Sequence, residues 1–121
     1  MKIYTTSRED YLKAILVLEK KLGEVHSIDI ARYLGISKPS VSNAVAHLTE
    51  GGFLTMDEEY VLHMTQAGRE VAEKTYERHR FFTKYLVSIG VDLTTAEEDA
   101  CRLEHAISDI SFQKLKEHIK L

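Results

Sequence analysis

The chain has one cysteine and one proline among its 121 residues. A single thiol cannot form an intramolecular disulfide, which excludes the disulfide-stapled secreted folds and suits a reducing cytoplasm. With one proline, Pro39, and six scattered glycines, no disordered linker is expected. No apolar run approaches the ~20 residues needed to span a bilayer, and no apolar signal segment follows Lys2, so neither membrane association nor a leader is expected. Positive charge is scarce: 16 Lys and Arg stand against 19 Asp and Glu, a formal net charge of −3. On charge alone, nucleic acid is a poor choice of partner. What remains is ordinary globular composition, 44% hydrophobic and 29% charged, at a length that fits one domain or two small ones sharing a boundary helix.

The first half reads as three helices and a hairpin. Ser7 can cap a helix whose first turn carries Glu9 and Asp10 at the positive end of its dipole. Tyr11, Leu12, Ile15, Leu16 and Leu18 then recur at helical spacing up to Gly23. Ser27 opens a short second helix that Gly35 stops. In Ser37-Lys38-Pro39-Ser40, Ser37 is the cap and Pro39 occupies the first turn, where a missing N–H costs nothing. Val41, Val45 and Leu48 give this third helix its apolar face, and Gly51-Gly52 end it. Strands are expected at Phe53–Met56 and Tyr60–His63 around the acidic turn Asp57-Glu58-Glu59.

This order is that of a winged helix-turn-helix, in which the helix after the turn enters the major groove. The exposed positions of that helix, Ser37, Lys38, Pro39, Ser40, Asn43, Ala44 and His47, are small or polar and suit contact with base edges, thymine methyls or phosphate. The plain alternative is the solvated face of an amphipathic helix. The expected division is residues 1–64 as the DNA-binding domain and 65–121 as a helical domain, giving a mainly α fold.

In the second half, Thr65 caps a long helix to about Ile89, with Val71, Thr75, His79, Phe82 and Leu86 on one stripe. Thr94 with Glu97 forms a capping box for a helix over Thr95–Ile107, and a last helix starts near Ser111. The informative run is Cys101-Arg102-Leu103-Glu104-His105. Positions i, i+3 and i+4 share a helix face, so Cys101, Glu104 and His105 converge, and a thiolate, carboxylate and imidazole together suit a transition metal. Two alternatives stay open: a lone cysteine is often a small core residue, and His79 on an apolar stripe is either a satisfied core histidine or a further ligand. Asp10 is a carboxylate that can close such a site from the first helix.

These residues resemble the iron- and manganese-dependent repressors related to the diphtheria toxin repressor and the manganese transport regulator. The resemblance covers nearly the whole chain. It is carried by Glu9-Asp10-Tyr11-Leu12, Ser37-Lys38-Pro39-Ser40-Val41-Ser42, Leu62-His63-Met64-Thr65-Gln66-Ala67-Gly68, Arg78-His79-Arg80 and, most specifically, Ala100-Cys101-Arg102-Leu103-Glu104-His105 with Ser108-Asp109.

The resemblance implies a homodimer on double-stranded, palindromic operator DNA, with a divalent metal as co-repressor and metal-homeostasis genes under control. It places Cys101, Glu104, His105 and Asp10 on the main metal site and His79 on a second or paired position. Ser37, Pro39, Ser40, Ser42 and Asn43 fall on DNA-contacting positions. Lys13 departs from the manganese branch, where a second first-helix carboxylate stands. Thr83 replaces an ancillary-site carboxylate of the iron branch, and Glu97 can substitute for a histidine ligand there. The SH3-like domain of longer members is not expected within 121 residues.

Hard donors Asp10 and Glu104 favour Mn(II), whereas soft Cys101 favours Fe(II), Co(II), Ni(II) or Zn(II). The mixture favours Fe(II), with Mn(II) close behind. Zn(II), Co(II) or Ni(II) is expected to bind in vitro. The rival reading is a metal-independent winged-helix regulator in which Cys101 senses redox state or the signal is a small organic ligand. An enzyme is not expected: no Ser-His-Asp spacing or Gly-rich phosphate loop occurs, and Cys101 lies away from an activating helix N-terminus.

Overall fold

The computed structural model describes residues 8–121. The expected Ser7 cap lies outside them. Eight elements follow in chain order: α1 (Arg8–Leu22), α2 (Ser27–Leu34), α3 (Lys38–Glu50), β1 (Leu54–Met56), β2 (Leu62–Met64), α4 (Gln66–Ser88), α5 (Leu93–Ala106) and α6 (Asp109–His118). The chain forms two compact units that meet within α4, one up to Lys74 and one from Thr75 to Leu121.

In the first unit, Leu12 and Ile15 of α1, Ile30 of α2, Val41 of α3, Leu54 of β1 and Leu62 of β2 form a fully buried core. Gly35 ends α2 with φ 69°, a left-handed conformation that glycine adopts without a Cβ penalty, and its N–H reaches the Ala31 carbonyl. That sharp stop leaves room for the Ser37 cap, whose hydroxyl accepts from the Ser40 N–H at 3.3 Å, with Pro39 in the first turn of α3. α2 opens at Ser27, as expected, and its cap position is the residue before it. His26 occupies it, and the Asp29 carboxylate accepts from the His26 N–H at 2.8 Å, since an anion in the first turn answers an orphan donor better than a hydroxyl.

The hairpin is shorter than expected. Its strands pair antiparallel as Leu54↔Met64, Thr55↔His63 and Met56↔Leu62, so the second strand starts two residues later than the alternation predicts. Asp57 accounts for the difference. Its carboxylate accepts from the N–H groups of Glu59 (2.8 Å) and Val61 (3.0 Å) and meets His63 Nε2 at 2.9 Å, which draws residues 57–61 into a turn. The hairpin is anchored at its base by Thr65, whose N–H donates to the Phe53 carbonyl (3.1 Å) and whose hydroxyl donates to that of Gly52 (2.7 Å). The same hydroxyl accepts from the Gly68 N–H at 3.2 Å and caps α4.

In the second unit, Phe82, Ala100 and Phe112 form the core, with Phe81, Ile107 and Leu115 packed against it. Phe81 meets Phe82 and Phe112 edge to face at centroid distances of 5.5 and 5.3 Å. The cap of α5 is Asp92, not Thr94: its carboxylate accepts from the Thr95 N–H at 3.0 Å, and the helix starts at Leu93. Likewise Ser108 caps α6, accepting from the Ser111 N–H at 3.2 Å, so that helix begins at Asp109 rather than Ser111. In both, a favoured cap residue stands upstream of the helix start expected from the sequence. No helix of the described residues is long and apolar enough to cross a membrane.

Candidate metal centre and nucleic-acid face

On α3 the 3.6-residue period turns Val41, Val45 and Leu48 into the core and leaves the opposite side to solvent. Ser37, Lys38, Pro39, Ser40, Ser42 and Asn43 are all exposed. Pro39, Ser40, Ser42, Asn43 and Ala46 line one shallow, open concavity. Ser37 has a structural duty as well, because its hydroxyl caps the helix and donates to Ser40 Oγ at 2.8 Å. The face carries one full positive charge, Lys38. Its other groups are short donors and acceptors that can approach a base edge without first displacing a long side chain.

In the second unit, α4 and α5 bring unlike donors together. His79 Nδ1 lies 3.0 Å from Glu104 Oε2 and 3.8 Å from Cys101 Sγ. The ligand atoms of His79, Cys101 and Glu104 all lie within 4.8 Å of one another, close enough to share one ion. His105 adds a second imidazole, with Nε2 3.4 Å from Glu104 Oε1. The carboxylate therefore has an imidazole on each oxygen, while its side chain has no exposed surface. A carboxylate removed from water needs a compensating positive charge, and histidines supply one only when protonated. A thiol, an imidazole and a buried carboxylate in so small a volume fit a first-row divalent ion.

Of the other expected ligands, Glu97 is half-buried one turn before Cys101 and lies outside this group of donors. Asp10 is a buried residue of α1 in the first unit. Arg78 has no counterpart among the candidates read from the sequence. Its guanidinium is buried and donates to the carbonyls of Glu104 (3.3 Å) and Ile107 (2.6 Å) at the end of α5. Its signal in the sequence is its place beside His79, because the groups it hydrogen-bonds are 26 to 31 residues away.

The N-terminal DNA binding domain of the iron dependent repressors matches residues 4–61, and their metal binding and dimerisation domain matches residues 65–120. The chain belongs to the iron-dependent repressor family. An uncharacterized HTH-type transcriptional regulator of Methanocaldococcus jannaschii is 33% identical over 91% of this chain and 90% of its own length. The diphtheria toxin repressor of Corynebacterium diphtheriae is 32% identical over 99% of the chain but only 54% of its own length. The solved structure of the manganese regulator SloR superposes with a TM-score of 0.83 at 28% identity, over 93% of this chain and 53% of that one. This repressor-family chain thus spans nearly all of the first relative and about half of the other two.

Proposed function

We propose that this chain is a homodimeric, cytoplasmic repressor, not an enzyme, that binds palindromic double-stranded operator DNA when loaded with Fe(II) or Mn(II) and controls metal-homeostasis genes. Residues 1–64 would bind DNA, and residues 65–121 would bind metal and dimerise. The observation that carries the reading is the convergence of His79, Cys101 and Glu104, with His105 beside them, from two helices of one unit.

Cys101, Glu104, His79 and His105 are the proposed ligands. Asp10 and Glu97 are kept as candidate donors on the sequence. A bound divalent cation would supply the positive charge that lets a thiolate and a buried carboxylate share this volume. The chain's own residues do the rest: α5 presents Cys101 and Glu104 one turn apart, and His79 faces both from α4. Cys101 must lose its proton and the imidazoles must be neutral to ligate, so affinity falls as pH falls. With Asp10 of α1 as a further donor, occupancy would be linked to the state of the DNA-binding segment. For the DNA, Ser37, Lys38, Pro39, Ser40, Ser42 and Asn43 are the proposed contacts, and a dimer would read half-sites ~34–36 Å apart.

The test is a pair of titrations on full-length wild type and Glu104→Gln under anaerobic conditions: Fe(II), Mn(II) and Zn(II) uptake, and operator retention in gel shifts. Wild type should bind metal and shift operator DNA only when loaded. Glu104→Gln should lose about 100-fold or more in metal affinity, about 2.7 kcal/mol, while keeping its helical spectrum. Equal operator binding by both proteins with and without metal would favour a metal-independent regulator instead.

A further inference from the structure

We infer that Arg78 is the positioning residue of the metal site: its guanidinium holds the ligand-bearing last turn of α5 at the spacing from His79 that chelation needs. The inference rests on the metal-site reading above and goes beyond it, because Arg78 offers no donor atom to a cation.

Four contacts surround one side chain that is only 6% exposed. One terminal nitrogen, Nη1, donates to the carbonyls of both Glu104 (3.3 Å) and Ile107 (2.6 Å). The other, Nη2, donates to the Asp109 carboxylate in the first turn of α6. The guanidinium carbon lies 5.2 Å from the ring centroid of Phe112, within the core of the unit.

A helix ends with up to four carbonyls that find no partner along the chain. In α5 that final stretch carries two proposed ligands, Glu104 and His105, so a loose helix end would mean loose ligands. A guanidinium answers the problem because it is planar, permanently charged and forked, and can bind separate acceptors at once. Its position matters equally. Arg78 precedes His79 on α4, so one helical turn delivers both an imidazole for Glu104's carboxylate and a cation for Glu104's own carbonyl. Asp109 in turn helps fix the guanidinium from α6, which makes the junction of α5 and α6 part of the same brace. Arg102, the neighbouring arginine of α5, shows the contrast: it is paired with Asp99 on the surface of its own helix and braces no second element through that bond.

The experiment compares full-length wild type, Arg78→Lys and Asp109→Asn, with Co(II) as the probe. Lysine keeps the charge but cannot fork to separate acceptors. Arg78→Lys is expected to keep its helical spectrum and to bind Co(II) about 10- to 100-fold more weakly, the range seen when groups that orient metal ligands are removed. Its thiolate-to-Co(II) absorption band should shift or broaden. In the metal-free protein, amide hydrogen exchange across Glu104–Ile107 should accelerate, a readout that needs no metal at all. Asp109→Asn, at an exposed position, should show the same changes to a smaller degree, and it carries the test if Arg78→Lys does not fold. Wild-type Co(II) affinity, spectrum and exchange in the folded variants would overturn the inference while leaving the metal site intact. Failure of the wild type to bind Co(II) would overturn both.

Discussion

Glu104 shows how much one side chain can be asked to do. It carries a proposed ligand oxygen toward His79, a second oxygen toward His105 and a backbone carbonyl bonded to Arg78. Two other residues yield tests away from the metal. Gly68 lies in the first turns of α4 where a Cβ would fall 2.1 Å from the Phe53 carbonyl oxygen, so no larger residue fits without moving backbone. Gly68→Ala should cost about 1–3 kcal/mol, read as a lower urea midpoint with an unchanged slope. Asp57 is held below the usual carboxylate range, chiefly by its hydrogen bond with His63 and then by the Val61 N–H. A carboxyl whose pKa is lowered on folding stabilises the fold at pH above its unfolded value, and that contribution disappears as pH falls through the lower, folded value. The turn at residues 57–61 should therefore hold at neutral pH and loosen only in acid below about pH 4. Amide shifts of Glu59 and Val61 would report this, and Asp57→Asn should abolish the dependence.

At the scale of elements, caps decide where helices begin. Ser108→Ala removes the acceptor for the Ser111 N–H and should lower stability by about 1 kcal/mol, seen as a lower melting temperature. The α6 cap was within reach of the sequence, since Ser108-Asp109 is a favourable start, but periodicity pointed to the apolar residues that follow. In α5 the Thr94/Glu97 pattern competed with Asp92, and the carboxylate two residues upstream took the cap. The hydrophobic spacing of α1, α3 and α4 was legible because one face of each is buried around regular positions. The convergence of Cys101 with Glu104 was legible for the same reason, through an i, i+3 spacing. His79 was visible only as a histidine on an apolar stripe. The bracing by Arg78 was not visible, because a long side chain that bonds main-chain carbonyls leaves no pattern in the residues it touches. Within the acidic turn Asp57-Glu58-Glu59, Asp57 serves the turn itself by accepting from the Glu59 and Val61 N–H groups.

At the scale of the whole molecule, the net charge of −3 bears on how DNA binding would be controlled. Residues 1–64 hold seven Lys and Arg against nine Asp and Glu, so little counterion release is available to drive non-specific association. Under the proposed mechanism, affinity must come from shape, from polar contacts on α3 and from the metal-loaded state. Coupling of this kind is reciprocal: whatever factor metal adds to operator affinity, operator must add to metal affinity. Titrating Mn(II) with and without operator should give that same factor, and unequal factors would show that the two events are not linked in this way. The hairpin supplies a last consequence. Strands of three residues are marginal when left alone, yet this pair is tied to α4 at its base by Thr65 and closed at its tip by Asp57. A protease should therefore find no early foothold at residues 57–61, and cutting there should keep pace with opening of the entire first unit, making the hairpin a clock for global unfolding rather than a frayed edge.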